Sequence, residues 1–113
     1  MPPISERFDI VYAWSAIHYV AHSLELLARF VEYRPRAILL VNHPVSRDHG
    51  FVRGQRGDGY FCAAHVLSLG EVEDALPGYR LAIRGSDDFE FNVDNFPPAY
   101  RVGRCANLLF LPT

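Results

Sequence analysis

FDIVYAWSAIHYV, residues Phe8 to Val20, decides how the rest of the chain is read. From Phe8 to Trp14 every residue is apolar except Asp9. So continuous a run does not suit a half-solvated strand. It predicts a parallel strand covered on both faces. A turn follows at Trp14–Ser15 and presents His18 and Tyr19.

The next segment, HSLELLARFVEYRP, places Leu24, Leu27, Ala28 and Val31 at i, i+3, i+4 and i+7, with Leu26 and Phe30 widening that face. This is the stripe of an amphipathic helix packed on one side. Ser23 is the expected N-cap, and Glu25 suits the first turn, where the helix dipole favours an acid. Pro35 ends the helix, because the residue before a proline avoids the α region. RAILLVNHP then supplies a second buried strand, Ala37 to Asn42, stopped by Pro44. Strand, helix, strand is a βαβ unit, whose crossover is right-handed in nearly every known case.

Further along, Ser46 to Tyr60 is rich in Arg, Asp and Gly without an apolar period, and is expected to be a mobile surface loop. Ser68 and Glu71 form a capping-box pattern ahead of Val72 and Leu76, which should face inward. Pro77–Gly78 ends that short helix, and Tyr79 to Arg84 forms a third strand. In the connection from Gly85 to Cys105, Phe89, Phe91 and Val93 alternate with polar residues, so an additional short strand is expected there. NFPPAYR should be a rigid, extended turn. Ala106 to Leu111 is the last strand, antiparallel to the one before it. The expected fold is a single α/β layered domain over residues 1–113.

Composition excludes several function classes. Of 113 residues, 50% are hydrophobic and 21% charged, as in an ordinary globular protein and unlike a disordered one. A formal charge of −2 offers no electrostatic footprint for nucleic acid or an anionic membrane. No apolar run approaches the roughly 20 residues needed to span a bilayer, and no signal-peptide pattern opens the chain. Cys62 and Cys105 have no CxxC or metal-ligand spacing and read as reduced thiols of a cytoplasmic protein.

The order of these phrases resembles the C-terminal half of a class I S-adenosylmethionine-dependent methyltransferase. FDIVYAWSAIHYV resembles the family's fourth strand and following turn. PRAILLVNHPV resembles strand 5, GYRLAIRG strand 6 and ANLLFLP strand 7, with NFPPAYRVG as a characteristic phrase before the last. The resemblance implies a partial Rossmann-like sheet in the order 4-5-7-6, its last strand antiparallel. It also implies S-adenosylmethionine as the family's cofactor and a pocket at the carboxyl edge of the strands. Trp14 and Ser15 would then lie on the cofactor side, and Tyr19, Asn42 and His43 on the substrate side. His18 is the candidate general base, since a histidine titrates near neutrality.

The sequence departs from that family at its cofactor motif. A GxGxG turn lets the backbone approach the ligand closely. The single glycine cluster here, Gly50 to Gly59, follows the wrong strand and opens no helix. The expectation is therefore a truncated or degenerate methyltransferase-like chain without the first three strands, unable to bind the cofactor tightly alone. Phe8 to Trp14 would become an exposed, strongly β-forming edge. Two copies are expected to pair through it as a homodimer, which also admits a non-enzymatic interaction module built on strand addition.

Other constellations are weaker. His18 and His22 stand at i, i+4, but there is no HExxH, and a third zinc ligand would have to come from His43 or His49. The acids Asp87, Asp88, Glu90 and Asp94 lack the spacing of a calcium loop, and no GxSxG elbow is present. No metal is expected.

Overall fold

The structure is a computed structural model that describes Pro3 and residues 7–113. A strand β1 (Ile10–Trp14) leads through a short 3-10 turn (Ile17–Tyr19) into helix α1 (Ser23–Glu32) and strand β2 (Ala37–His43). Strands β3 (Val45–Ser46), β4 (Phe51–Gly57) and β5 (Tyr60–Ser68) follow, then helix α2 (Leu69–Ala75) and strands β6 (Tyr79–Ser86) and β7 (Ala106–Pro112).

Two sheets result. The larger runs β1-β2-β7-β6 and the smaller β3-β5-β4. β1 lies parallel to β2, whereas β7 is antiparallel to both β2 and β6, so the larger sheet is mostly antiparallel. The parallel pair is joined by α1, as a crossover requires.

Strand alternation builds the core. Ala13 on β1, Ile38 and Leu40 on β2, and Ala106, Leu108 and Phe110 on β7 point to one face of the large sheet. Leu27 and Phe30 of α1 and Val72 and Leu76 of α2 cover that face. The capping box forms as expected: the Glu71 N–H donates to Ser68 Oγ at 3.1 Å, and the Ser68 N–H donates to Glu71 Oε1 at 3.1 Å. Val72 and Leu76 both turn inward. Gly78, at φ 84°, makes the bend between α2 and β6.

Five expectations are corrected. β1 is covered on one face, not two. It borders the large sheet, and Ile10 and Trp14 remain 63% and 61% exposed on a face with no layer over it among the described residues. The inward stripe of α1 is Ser23, Leu27 and Phe30, while Leu24 and Ala28 face outward. Ser23 is accordingly not the cap. It is the first helical residue, buried against the body, and His22 holds the cap position without a side-chain bond.

The region from Ser46 to Tyr60 is not a loop. It holds β4, which pairs antiparallel with β5 from Phe51↔Val66 to Gly57↔Tyr60. The turn between them is Asp58–Gly59, with Gly59 at φ 75°. An Asp-Gly pair between two extended runs is a hairpin signal, here hidden by the polarity of β4. Finally, residues 87–105 contain one 3-10 turn, Pro98–Tyr100, and no strand. Phe91 does bond across to Gly103, at 2.7 Å, but Phe89 stays exposed and the ladder does not extend. No helix among the described residues is long and apolar enough to cross a membrane.

Candidate functional site

β1 and β2 are parallel, so their carboxyl ends emerge side by side. Both end in backbone conformations unusual for residues with a side chain: Ser15 has φ 48° and Asn42 φ 60°. Each is held by a hydrogen bond. The Ser15 N–H donates to the Val41 carbonyl at 2.9 Å, and the Asn42 N–H donates to Asn107 Oδ1 at 2.9 Å. Asn107 Nδ2 in turn donates to Asp87 Oδ1 at 3.0 Å, tying the start of the 87–105 connection to this edge.

His43 bridges the two strand ends. Its Nε2 accepts the Ala16 N–H at 3.2 Å and the Ile17 N–H at 3.0 Å. An acceptor nitrogen carries no proton, so the ring is the neutral Nδ1–H tautomer. It serves here as a cap for the turn after β1, satisfying two backbone donors that would otherwise be orphaned. His18 stands against it, ring centroids 5.4 Å apart and perpendicular, and lies 4.0 Å from the Tyr19 ring.

Both histidines are only 4% exposed, and the Nδ1 atom of each is buried without a hydrogen bond. Burial lowers the pKa of His18 to about 4, with the Arg53 charge adding to the effect. Burial likewise lowers His43 to about 4; His18 adds to this, and the Val41 carbonyl, beside the ring but outside proper hydrogen-bond geometry, opposes it. A cavity of about 10 Å³, lined by His18, His43 and His65 among apolar side chains, adjoins the pair. That is room for one water.

Above the pair lies a layer contributed by the β4–β5 hairpin and the 87–105 connection. Gln55 Nε2 donates to the Tyr19 hydroxyl at 2.7 Å. Arg53, 7% exposed, donates from Nη1 to the Val102 carbonyl at 2.6 Å and sits 5.3 Å from the Phe91 ring centroid. Burial raises the Cys105 thiol, with Arg53 opposing and Asp87 assisting. Tyr19 is raised too, by burial first.

The structure therefore brings His18, Tyr19 and His43 together. Ser15 and Asn42 stand at the same edge as turn-forming positions. Trp14 does not join them, because strand alternation turns its side chain to the uncovered sheet face beside Tyr12 and Ile10. His18 and His22 do not share a helical face: one lies in the 3-10 turn and the other caps α1. Among the described residues, no three His, Cys, Asp or Glu side chains come together as a metal site. Arg53, Gln55 and Cys105 were not expected at this edge. Only the Asp58–Gly59 turn pointed to the hairpin that carries the first two, and no local signal placed Cys105.

The chain is thus a mixed α/β domain with a polar cluster at the carboxyl ends of its parallel strands, the edge where open α/β sheets generally place their ligands. Solved structures narrow this. A protein from Listeria monocytogenes assigned as an S-adenosylmethionine-dependent methyltransferase superposes on 96% of the chain with a TM-score of 0.64 at 12% identity. An S-adenosylmethionine-dependent methyltransferase from Mesorhizobium loti superposes on 94% with a TM-score of 0.54 at 14% identity. The chain spans 62% of the length of each. At such identities the likeness establishes the fold, which is that of these methyltransferases. No protein-family model and no curated protein matches the sequence.

Proposed function

We propose that these residues are the part of an S-adenosylmethionine-dependent methyltransferase fold that carries its strands 4 to 7. β1, β2, β6 and β7 then correspond to strands 4, 5, 6 and 7, and the order β1-β2-β7-β6 reads 4-5-7-6. The observation that carries the reading is the strand reversal at β7, inserted between β2 and β6, in a sheet with β1 at its border. The four sequence phrases and the two structural likenesses support it. In this reading Ser15 flanks the methyl donor, Tyr19, Asn42 and His43 flank the acceptor, and His18, buried and with its pKa lowered to about 4, is a candidate base of low basicity.

The residues present do not by themselves fit S-adenosylmethionine. No Gly-rich turn opens a helix: Gly54 and Gly57 lie on β4, Gly59 makes the hairpin turn, and the cluster's first residue, Gly50, stands just ahead of β4. Among the described residues, neither β1 nor β2 ends in an acidic residue of its own to hold ribose hydroxyls. This 113-residue sequence, tested alone, is a degenerate or truncated methyltransferase-like domain that binds the cofactor weakly, in the cytoplasm where Cys62 and Cys105 stay reduced. Calorimetric titration with S-adenosylmethionine and its demethylated product tests this. Micromolar binding would show that an assembled cofactor site exists without a Gly-rich turn and would overturn the reading.

A second reading rests on the exposure of Ile10, Tyr12 and Trp14 at the border strand. An unpaired edge with an apolar face is a template for strand addition. Under it the chain is an interaction module that forms a homodimer through Phe8–Trp14. Light scattering separates the two: a stable dimer without cofactor binding favours the module, whereas a monomer at high concentration removes it.

A further inference from the structure

Arg53 presents a charge problem that neither reading uses. A guanidinium taken out of water is normally paired with a carboxylate. Among the described residues none lies within ion-pair distance of Arg53. Two acids of the 87–105 connection are engaged elsewhere, Glu90 with Arg104 at 3.3 Å and Asp87 with Asn107 at 3.0 Å. Its one hydrogen bond, to the Val102 carbonyl, leaves four of the five N–H donors of a guanidinium uncommitted.

Those donors border open space. Two clefts, each of about 240 Å³, run along β4 and meet at Arg53, Gly54 and Phe96. One is walled by Phe51, Phe96, Pro97 and Tyr100. The other adds Arg56, an exposed guanidinium without an ion pair among the described residues, together with Gln55, Asn92 and Asn95. The Phe91 ring lies under Arg53, its centroid 5.3 Å from the guanidinium carbon, within cation–π range. The arrangement is a buried positive charge at the junction of an aromatic wall and an amide-lined wall, with the exposed Arg56 farther along the second.

We propose that the cleft between β4 and the 87–105 connection binds a small organic carboxylate with a flat apolar body, its charge on Arg53 and its body against Phe96 and Tyr100. A planar guanidinium fork matches a carboxylate in shape and charge. Inorganic phosphate has the charge for Arg53 and Arg56 but no apolar body for the aromatic wall, and a nucleic-acid backbone would require a basic surface that a chain of net charge −2 lacks. The site is independent of the methyl-transfer reading, and no S-adenosyl compound enters its test, so each can fail without the other.

The test is a heteronuclear NMR titration of the intact chain with sodium benzoate, benzamide and inorganic phosphate, each at constant ionic strength. Benzoate should shift the amides of residues 51–56 and 91–101 saturably. Benzamide, identical in shape but uncharged, should bind about tenfold weaker or worse, as should benzoate with the Arg53→Gln variant. Phe96→Ala, in the exposed connection, should weaken benzoate severalfold while leaving the fold intact. Should Arg53→Gln not fold, the benzoate–benzamide comparison on the unaltered chain decides alone. Equal binding of the two, phosphate binding as tightly as benzoate, saturable shifts elsewhere only, or no saturable shift with benzoate on the order of 10 mM would overturn the proposal.

Discussion

Acid should unfold this protein through the His18–His43 pair. Both rings are neutral in the folded chain and hold off protonation until about pH 4. Once unfolded, each takes up a proton near pH 6.5, the ordinary histidine value. A depressed pKa of this kind contributes stability that is present in full above about pH 6.5 and is lost as the pH falls toward 4. The slope reaches ~1.4 kcal/mol per pH unit for each ring, so by pH 5 each has cost ~2 kcal/mol and the pair about 3 to 4 kcal/mol. That is a large share of the roughly 5–15 kcal/mol that holds a domain together. Urea denaturation at pH 7.0, 6.0 and 5.0 measures it, with His43→Gln as the informative variant. Glutamine places an oxygen acceptor near the Nε2 position, keeps a partner for the Ala16 and Ile17 N–H groups, and removes one titration. The variant should be close to the parent at pH 7 and lose stability about half as steeply below pH 6.5. A urea midpoint that does not move between pH 7 and 5, or a variant as acid-sensitive as the parent, would refute the placement of these rings as buried neutral groups.

Other perturbations probe other parts of the fold. Leu27→Ala, at a fully buried position between α1 and the large sheet, should destabilise by about 2–5 kcal/mol in the same denaturation assay. Ser68→Ala removes the cap of α2 and should cost about 1 kcal/mol, with the fold retained by circular dichroism. Arg34 closes α1 at φ 50°, where a side chain is strained, so Arg34→Gly should raise stability by up to about 1 kcal/mol. Tyr12→Lys, on the uncovered face of the border strand, should abolish any dimer seen by light scattering and leave the thermal midpoint within a few degrees of the parent.

What could be read without coordinates were the features that local chemistry enforces. The β1-α1-β2 unit followed from two apolar runs around a helical period, and α2 from a capping box whose partners lie three residues apart. The His18–Tyr19 turn and the Asn42–His43 terminus were placed at one edge because parallel strands must end together. Errors arose where local pattern and tertiary placement compete. Polar residues along Arg53 to Arg56 concealed β4, since a hairpin lying over the sheet edge is held by its ladder with β5 and by contacts to the 87–105 connection, not by an apolar period of its own. The α1 stripe was rotated because the docking of Leu27 and Phe30 on the sheet, not the count of apolar residues, chose the buried side.

Sequence alone thus determined the strands of the larger sheet, its two helices and the shared edge at which the parallel strands end, because helix periods, caps and proline stops act over a few residues. Only the tertiary structure decided that β3, β5 and β4 form a second sheet, that one face of the larger sheet stays bare, and that Arg53 is buried beside His18 with no ion-pair partner among the described residues. Those outcomes depend on contacts between residues tens of positions apart, whose free energy exists only once the chain has closed upon itself.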